Sequence, residues 1–272
     1  MPLRKIQAAA LSLLASRRNP EIFLGGGVPL NRAGPRTSED VDVFHDRGEK
    51  LLESASADAA LLQSHGYAVH WLRRLEMICT AEISKAAETT RIDWVVDSDY
   101  RFFPPVPDED FGFVLHPADI ATNKTLAAAG RREPRDAVDL VTIHEQFYPL
   151  GLVIWAAVGK DPGWGPENMI AEIRRNARYQ DYDLARLEMN PPMTAAELSR
   201  KLRAALNEAE AFVLKMPSEK AGLLFLEGGK IVQPNPGRLD AYLTHAGSRG
   251  GHWPSSPEIA SAMLDAWKTR RS

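Results

Sequence analysis

The stretch from Phe23 to Asp46, FLGGGVPLNRAGPRTSEDVDVFHD, restricts the fold more than any other part of the sequence. Three consecutive glycines, Gly25 to Gly27, are followed by a short polar spacer and then by the run EDVDVF. That run reads as a strand. Successive side chains of a strand take opposite faces, so Val41 and Val43 share one face while Asp40, Asp42 and Phe44 share the other. Two carboxylates about 4 Å apart repel by about 4 kcal/mol at an effective dielectric of roughly 20. Such a pair calls for a proton, a basic partner or a cation. Oxygen donors suit magnesium, which takes one or two protein carboxylates and completes its shell with water and substrate phosphate. A third carboxylate would permit two ions. Asp93, inside the otherwise β-like run RIDWVV, is the candidate, whereas Asp97 and Asp99 read as loop residues at the end of that strand. The glycines permit close backbone approach and positive φ. If a helix follows them, its free N–H groups would face a phosphate. They form neither a P-loop, since no Gly-Lys-Ser/Thr follows, nor the dinucleotide fingerprint.

The rest of the chain divides into a strand-rich first half and a helix-rich second half. A first helix is expected from Leu3 to Leu14, a strand at EIFLGGG, and a helix over RGEKLLESASADAALLQSHG closed by Gly66. Strands are expected in YAVHWLRRLEMICTAEIS and TTRIDWVVDSD, then a proline-rich loop at RFFPPVPDEDFG and a short strand at FGFVLH. From Pro117 onward helices dominate, one of them opening with capping-box spacing at Thr194 and Glu197. A hairpin is expected at Gly228–Gly229 and a final helix near Ser256–Pro257. This segregation predicts an α+β chain with a soft boundary near residue 115, giving segments 1–115 and 116–272.

Composition sets the remaining bounds. With 272 residues, 44% of them hydrophobic and 25% charged, the chain has the profile of a soluble globular protein. A net charge of −3 requires any nucleic-acid-binding surface to be local. The single cysteine, Cys79, excludes an internal disulfide and fits a reducing compartment. The first residues read as an amphipathic helix rather than a signal peptide. The apolar run LGLVIWAAVG is too short to span a bilayer. The expected location is the cytoplasm, with no membrane partner.

A second motif lies in ADIATNKTLAAAGRREPRDAVDL. Lys124 sits beside Asn123 on an expected helix, where its ammonium could reach a triphosphate as a mobile point charge. Arg135 and Asp136 open the next helix, and Asp136 and Asp139, three residues apart, share a face. Among the histidines, His45 has nothing nearby to complete a zinc set, and His116 and His144 read as hydrogen-bonded structural residues. The basic segments RRNAR and SRKLR read as solvated helix faces that could contact RNA phosphates. Trp253 lies in a loop where a stacking role is conceivable.

Taken together, GGG, then RTSEDVDVF, then RIDW resemble the nucleotidyltransferase superfamily that includes DNA polymerase beta. More specifically, the chain resembles the AbiEii-type nucleotidyltransferases, the toxin half of abortive-infection toxin–antitoxin systems. Ser38, Asp40 and Asp42 match that family's Ser-X-Asp-hydrophobic-Asp strand, and Asp93 its third carboxylate. Lys124, Arg135, Asp136 and Asp139 match its second motif. The match covers roughly residues 20 to 145. The resemblance implies a nucleotidyltransferase-like mixed β-sheet with helices, followed by a mainly helical second half that completes the active-site cleft. It implies magnesium-dependent transfer of a nucleoside monophosphate from an NTP to an acceptor hydroxyl, on RNA such as tRNA or on protein, by the toxin of a type IV-like system with a cognate antitoxin. Asp40, Asp42 and Asp93 would hold one or two Mg2+ ions. Gly25, Gly26, Ser38 and Arg135 would position the nucleotide, Lys124 would offset charge on the β- and γ-phosphates, and Asp136 would orient a catalytic group or the nucleotide. The alternatives are a non-catalytic nucleotide- or partner-binding protein of the same fold and a transferase acting on a small hydroxylated molecule.

Overall fold

Alternation of buried and less buried side chains along DVDVFH marks the strand that organises the first part of the molecule. The computed structural model describes residues 3–32, 34–254 and 263. The helices are α1 (Lys5–Leu14), α2 (Gly27–Leu30), α3 (Leu51–Ser64), α4 (Pro117–Gly130), α5 (Pro134–Gln146), α6 (Leu150–Ala157), α7 (Pro166–Asn176), α8 (Asp181–Leu184) and α9 (Ala195–Val213). The strands are β1 (Ile22–Leu24), β2 (Asp40–His45), β3 (Ala68–Leu75), β4 (Ile78–Lys85), β5 (Glu88–Val96), β6 (Tyr100–Arg101), β7 (Val106–Asp108), β8 (Gly112–Val114), β9 (Leu224–Glu227), β10 (Lys230–Ile231), β11 (Leu243–His245) and β12 (Ser248–Arg249). The α+β expectation therefore holds. The segment expected as a proline-rich loop instead contributes β6 and β7. Pro107 lies opposite Phe113 in the β7–β8 pair, and β7 is an outermost strand of its sheet, where a residue lacking an N–H is tolerated. The final helix expected near Ser256 lies outside the described residues.

The chain forms two compact units. One comprises the described residues of Met1–Asp99, Pro104–Ile120 and Leu187–Pro192, the other those of Tyr100–Phe103, Ala121–Arg186 and Met193–Ser272. Residues 187–192 join the first unit through backbone bonds: Thr37 N–H donates to Glu188 O at 2.9 Å and Asn190 N–H to Pro35 O at 2.8 Å.

The first unit is built on a seven-stranded mixed sheet in the order β3-β4-β5-β2-β1-β8-β7. The β2–β5 and β1–β8 pairs are parallel and the others antiparallel. Val41, Val43, Cys79, Ala81, Ile92 and Trp94 form one face of β2, β4 and β5 and are at most 1% exposed. That face packs on α1 and α3, whose Leu11, Leu14, Leu51 and Leu62 are at most 2% exposed. At about 25 cal/mol per Å² of apolar surface removed from water, this layer supplies the main driving force for the unit.

In the second unit α6 is buried along its whole length, as an all-apolar helix must be. It packs against α9. Thr194 caps α9 by accepting the Glu197 N–H at 3.2 Å, as the capping-box spacing predicts. The hairpin at Gly228–Gly229 forms between β9 and β10, with both glycines at positive φ.

Candidate active site

Strand register brings the first motif together. Parallel pairing of β2 with β5 sets Asp40 opposite Arg91 and Asp42 opposite Asp93. Paired residues point to the same face, so three carboxylates converge on the face of the sheet away from α1 and α3. Each offers one oxygen, and the three oxygens lie within 4.8 Å of one another. Asp40 is 5% exposed, while Asp42 and Asp93 are half-buried. Asp42 and Asp93 line a cavity of about 400 Å³ together with Leu72, Arg73, Ile78, Thr80, Arg91 and Val95.

Two groups that the motif reading missed hold these acids in place. The Arg91 guanidinium donates to Asp40 Oδ2 at 2.5 Å and to Asp93 Oδ2 at 3.0 Å. Burial works against the charge on Arg91, but Asp93 and Asp40 outweigh it and raise its pKa. Thr80 on β4, opposite Asp93, donates its hydroxyl to Asp93 Oδ1 at 2.7 Å. Arg91 was legible in principle: it precedes Asp93 by two on a strand and so shares its face. Thr80 carried no signal before the β4–β5 register was known.

The glycine turn sits against the same carboxylates. Gly26 has φ of +64°, and a Cβ built there would fall 2.0 Å from Asp42 Oδ2. Only glycine allows both that backbone conformation and that approach. Gly25 N–H donates to Asp42 O at 3.3 Å, and the short helix α2 follows at Gly27. Ser38 is 2% exposed, with its hydroxyl 2.8 Å from where a Cβ on Gly27 would lie.

The second motif forms its own cluster in the second unit. Lys124 Nζ, on α4, lies 2.7 Å from Asp139 Oδ2 and 3.7 Å from Asp136 Oδ1. Its side chain is only 12% exposed, and both aspartates are fully buried on α5. Asp136 also accepts from Arg131 Nε and Nη2 at 2.7 and 3.2 Å. The expected mobile lysine is thus an oriented one, and Asp136 and Asp139 share a face as their spacing requires. Arg135 follows Pro134 at the start of α5. His116 Nδ1 accepts the Ala118 N–H at 3.2 Å and His144 Nδ1 the Leu150 N–H at 3.3 Å, the structural roles expected of them. Trp253 packs at a tilt against Phe103, with ring centroids 5.7 Å apart and planes 38° from parallel.

Hard oxygen donors on adjacent strands, braced by Thr80 and Arg91, make a donor set that fits a divalent cation. Among the described residues, no other group of three or more acidic, histidine or cysteine side chains has metal-binding spacing. No described helix is long and apolar enough to cross a membrane.

A solved structure that shares this arrangement of elements is a nucleotidyltransferase. MenT4, a nucleotidyltransferase toxin from Mycobacterium tuberculosis, superposes with a TM-score of 0.56 at 17% identity, over 79% of this chain and 84% of that one. An H. pylori protein described as a candidate nucleotidyltransferase matches at TM-score 0.47 and 16% identity, over 78% of this chain and 94% of that one, a likeness too slight to argue from. No family model and no curated protein matches the sequence. The chain has a nucleotidyltransferase-like fold.

Proposed function

We propose that the chain is a magnesium-dependent nucleotidyltransferase that moves a nucleoside monophosphate from an NTP to an acceptor hydroxyl on RNA or protein. The observation that carries the reading is the convergence of Asp40, Asp42 and Asp93 within 4.8 Å beside the glycine turn. These carboxylates would hold Mg2+, which supplies charge stabilisation at the attacking and leaving oxygens of an in-line displacement at the α-phosphate. Asp93 takes or orients the acceptor hydroxyl proton, and Thr80 and Arg91 fix its rotamer for that task. Gly25, Gly26 and Ser38 position phosphate, Gly26 by leaving the backbone open where any side chain would collide with Asp42. Within the second unit Asp136 and Asp139 orient the Lys124 ammonium, and the motif resemblance assigns phosphate-charge offset to Lys124 and nucleotide binding to Arg135.

The motif resemblance supports an AbiEii-type toxin with a cognate antitoxin as the cellular setting. Incubation with each α-labelled NTP, Mg2+ and either total RNA or cell protein tests the chemistry. Label is expected on one acceptor with wild type and on neither with Asp42→Ala; no transfer to either acceptor from any NTP contradicts the reading.

A further inference from the structure

The β3–β4 ladder is irregular at one place, and that place faces the carboxylates. Trp71 pairs with Ala81 and Arg73 with Thr80, which leaves Leu72 as the extra residue of a β-bulge. In a regular ladder Leu72 would pair with Thr80, and Arg73 would oppose Cys79, on the buried face. The bulge instead sets Arg73 opposite Thr80 and moves Arg74 to Cys79. The consequences are visible on both faces. Arg74 turns to the core side, where its guanidinium lies 4.8 Å from the Trp71 ring and donates to Ser56 at 2.9 Å. Leu72 and Arg73, although adjacent, both line the carboxylate cavity. Bulges beside sites commonly re-aim a side chain in this way.

Following the register across the sheet gives a single transverse row: Arg73, Thr80, Asp93, Asp42. Beyond β2 lies β1, which ends at the glycine turn. The carboxylates therefore have two flanks. The glycine turn adjoins Asp42, whereas Arg73 lies on the Asp93 side, its Cα two strand spacings, about 10 Å, from β5. Arg73 is exposed, and no ion pair or hydrogen bond engages its guanidinium among the described residues. Leu72 beside it is 55% exposed.

Resting on the nucleotidyl-transfer reading, we propose that Leu72 and Arg73 form the acceptor subsite, and that the acceptor is an RNA strand. Arg73 holds a backbone phosphate near the attacking hydroxyl, and Leu72 packs against the sugar. The assignment follows from the two flanks: the nucleotide's phosphates take the glycine side, and the hydroxyl to be activated approaches Asp93 from the side of the bulge. A guanidinium beside an aliphatic side chain suits a ribose–phosphate backbone, the guanidinium pairing with a phosphate and the aliphatic carbons packing on the C–H surface of the adjoining sugar. Arg73 is a binding and positioning residue and takes no part in proton transfer.

The test is fluorescence anisotropy of a 5′-fluorescein 12-mer oligoribonucleotide with the full chain, over a series of salt concentrations. Arg73→Ala is expected to weaken binding roughly five- to tenfold at low salt and to reduce the slope of log K against log salt by about 0.7, the signature of one lost phosphate contact on a single strand. Arg73→Lys, which keeps the charge, is expected to retain the slope. Affinity for a fluorescent ATP analogue with Mg2+ stays unchanged in both variants. Unchanged RNA affinity in Arg73→Ala, no RNA binding by wild type, or a fall in nucleotide affinity instead would each overturn the subsite. Label transfer to protein without RNA binding would remove the subsite and leave the chemistry standing. RNA binding that depends on Arg73, without label transfer from any NTP, would leave the subsite standing and remove the chemistry.

Discussion

The two faces of the central sheet use the same chemical pair, carboxylate and arginine, for opposite ends. Asp93 and Trp94 are neighbours on β5 and point to opposite faces. On the α3 side, Trp94 Nε1 donates at 2.9 Å to Asp58 Oδ2, which also takes Arg18 at 2.5 Å, while Asp58 Oδ1 takes Arg17 at 2.7 Å. Asp58 is 0% exposed, and the knot ties α3 to β5 and to the segment after α1. On the other side, Asp93 and Asp40 share the half-exposed Arg91, and Asp93 borders a cavity. A buried carboxylate with two guanidiniums and an indole has its lone pairs occupied by protein. Carboxylates that open onto a cavity keep oxygen surface for an ion or a substrate. On this sheet, opening onto a cavity, more than residue type, separates Asp42 and Asp93 from Asp58.

Substitutions on the two faces should therefore divide stability from activity. The largest effect expected is for Asp58→Ala, which leaves Arg17 and Arg18 without their carboxylate and should cost about 3–5 kcal/mol of unfolding free energy, as for other broken buried pairs. Denaturant melts measure it, and the fraction that remains folded should keep its activity. Asp42→Asn should do the reverse, lowering nucleotidyl transfer by about 10²–10³-fold, the cost typical of removing one charge-stabilising group, with little change in the melt. If Asp42→Asn melted early while Asp58→Ala did not, the division of labour would be wrong.

A third measurement probes the scaffold face alone. His45, at the end of β2, is 1% exposed, and burial, aided by Arg18 and opposed by Asp58, lowers its pKa from 6.5 to about 4. The folded state therefore holds it neutral, while the unfolded chain takes up a proton below pH 6.5. Stability from this group is complete above pH 6.5, declines as pH falls toward 4, and levels off below, a loss of at most on the order of 3 kcal/mol. Denaturation midpoints across that window should flatten in His45→Leu relative to wild type. The smallest effect belongs to the site face. Thr80→Val removes one hydrogen bond to Asp93 and should slow transfer about tenfold, equivalent to about 1.4 kcal/mol, without shifting the melt by more than about 1 kcal/mol.

Much of this was legible where one local rule sufficed. The period-two pattern of EDVDVF gave the strand and the shared face of Asp40 and Asp42, and the three glycines gave the turn. The spacing of Asp136 and Asp139 gave their common face. What was not legible depends on pairing between distant segments. Nothing local says that Asp93 lies opposite Asp42, that Thr80 lies opposite Asp93, or that residues 187–192 hydrogen-bond beside Pro35 and Thr37. The bulge at Leu72 carries no glycine or proline to announce it. It arises from register, and register is set by the whole buried face. Lys124 is similar: its helix was readable, but its capture by Asp139 depends on how α4 meets α5.

The central claim, that Asp40, Asp42 and Asp93 form a divalent-cation site serving a nucleotide, is tested most directly by counting bound Mn2+ with electron paramagnetic resonance in the presence of ATP. Wild type should bind one or two ions per chain beyond those taken up by ATP alone, Asp42→Asn and Asp93→Asn should lose them, and Asp58→Asn should retain them. Equal Mn2+ binding by wild type and both site-face variants would contradict the account.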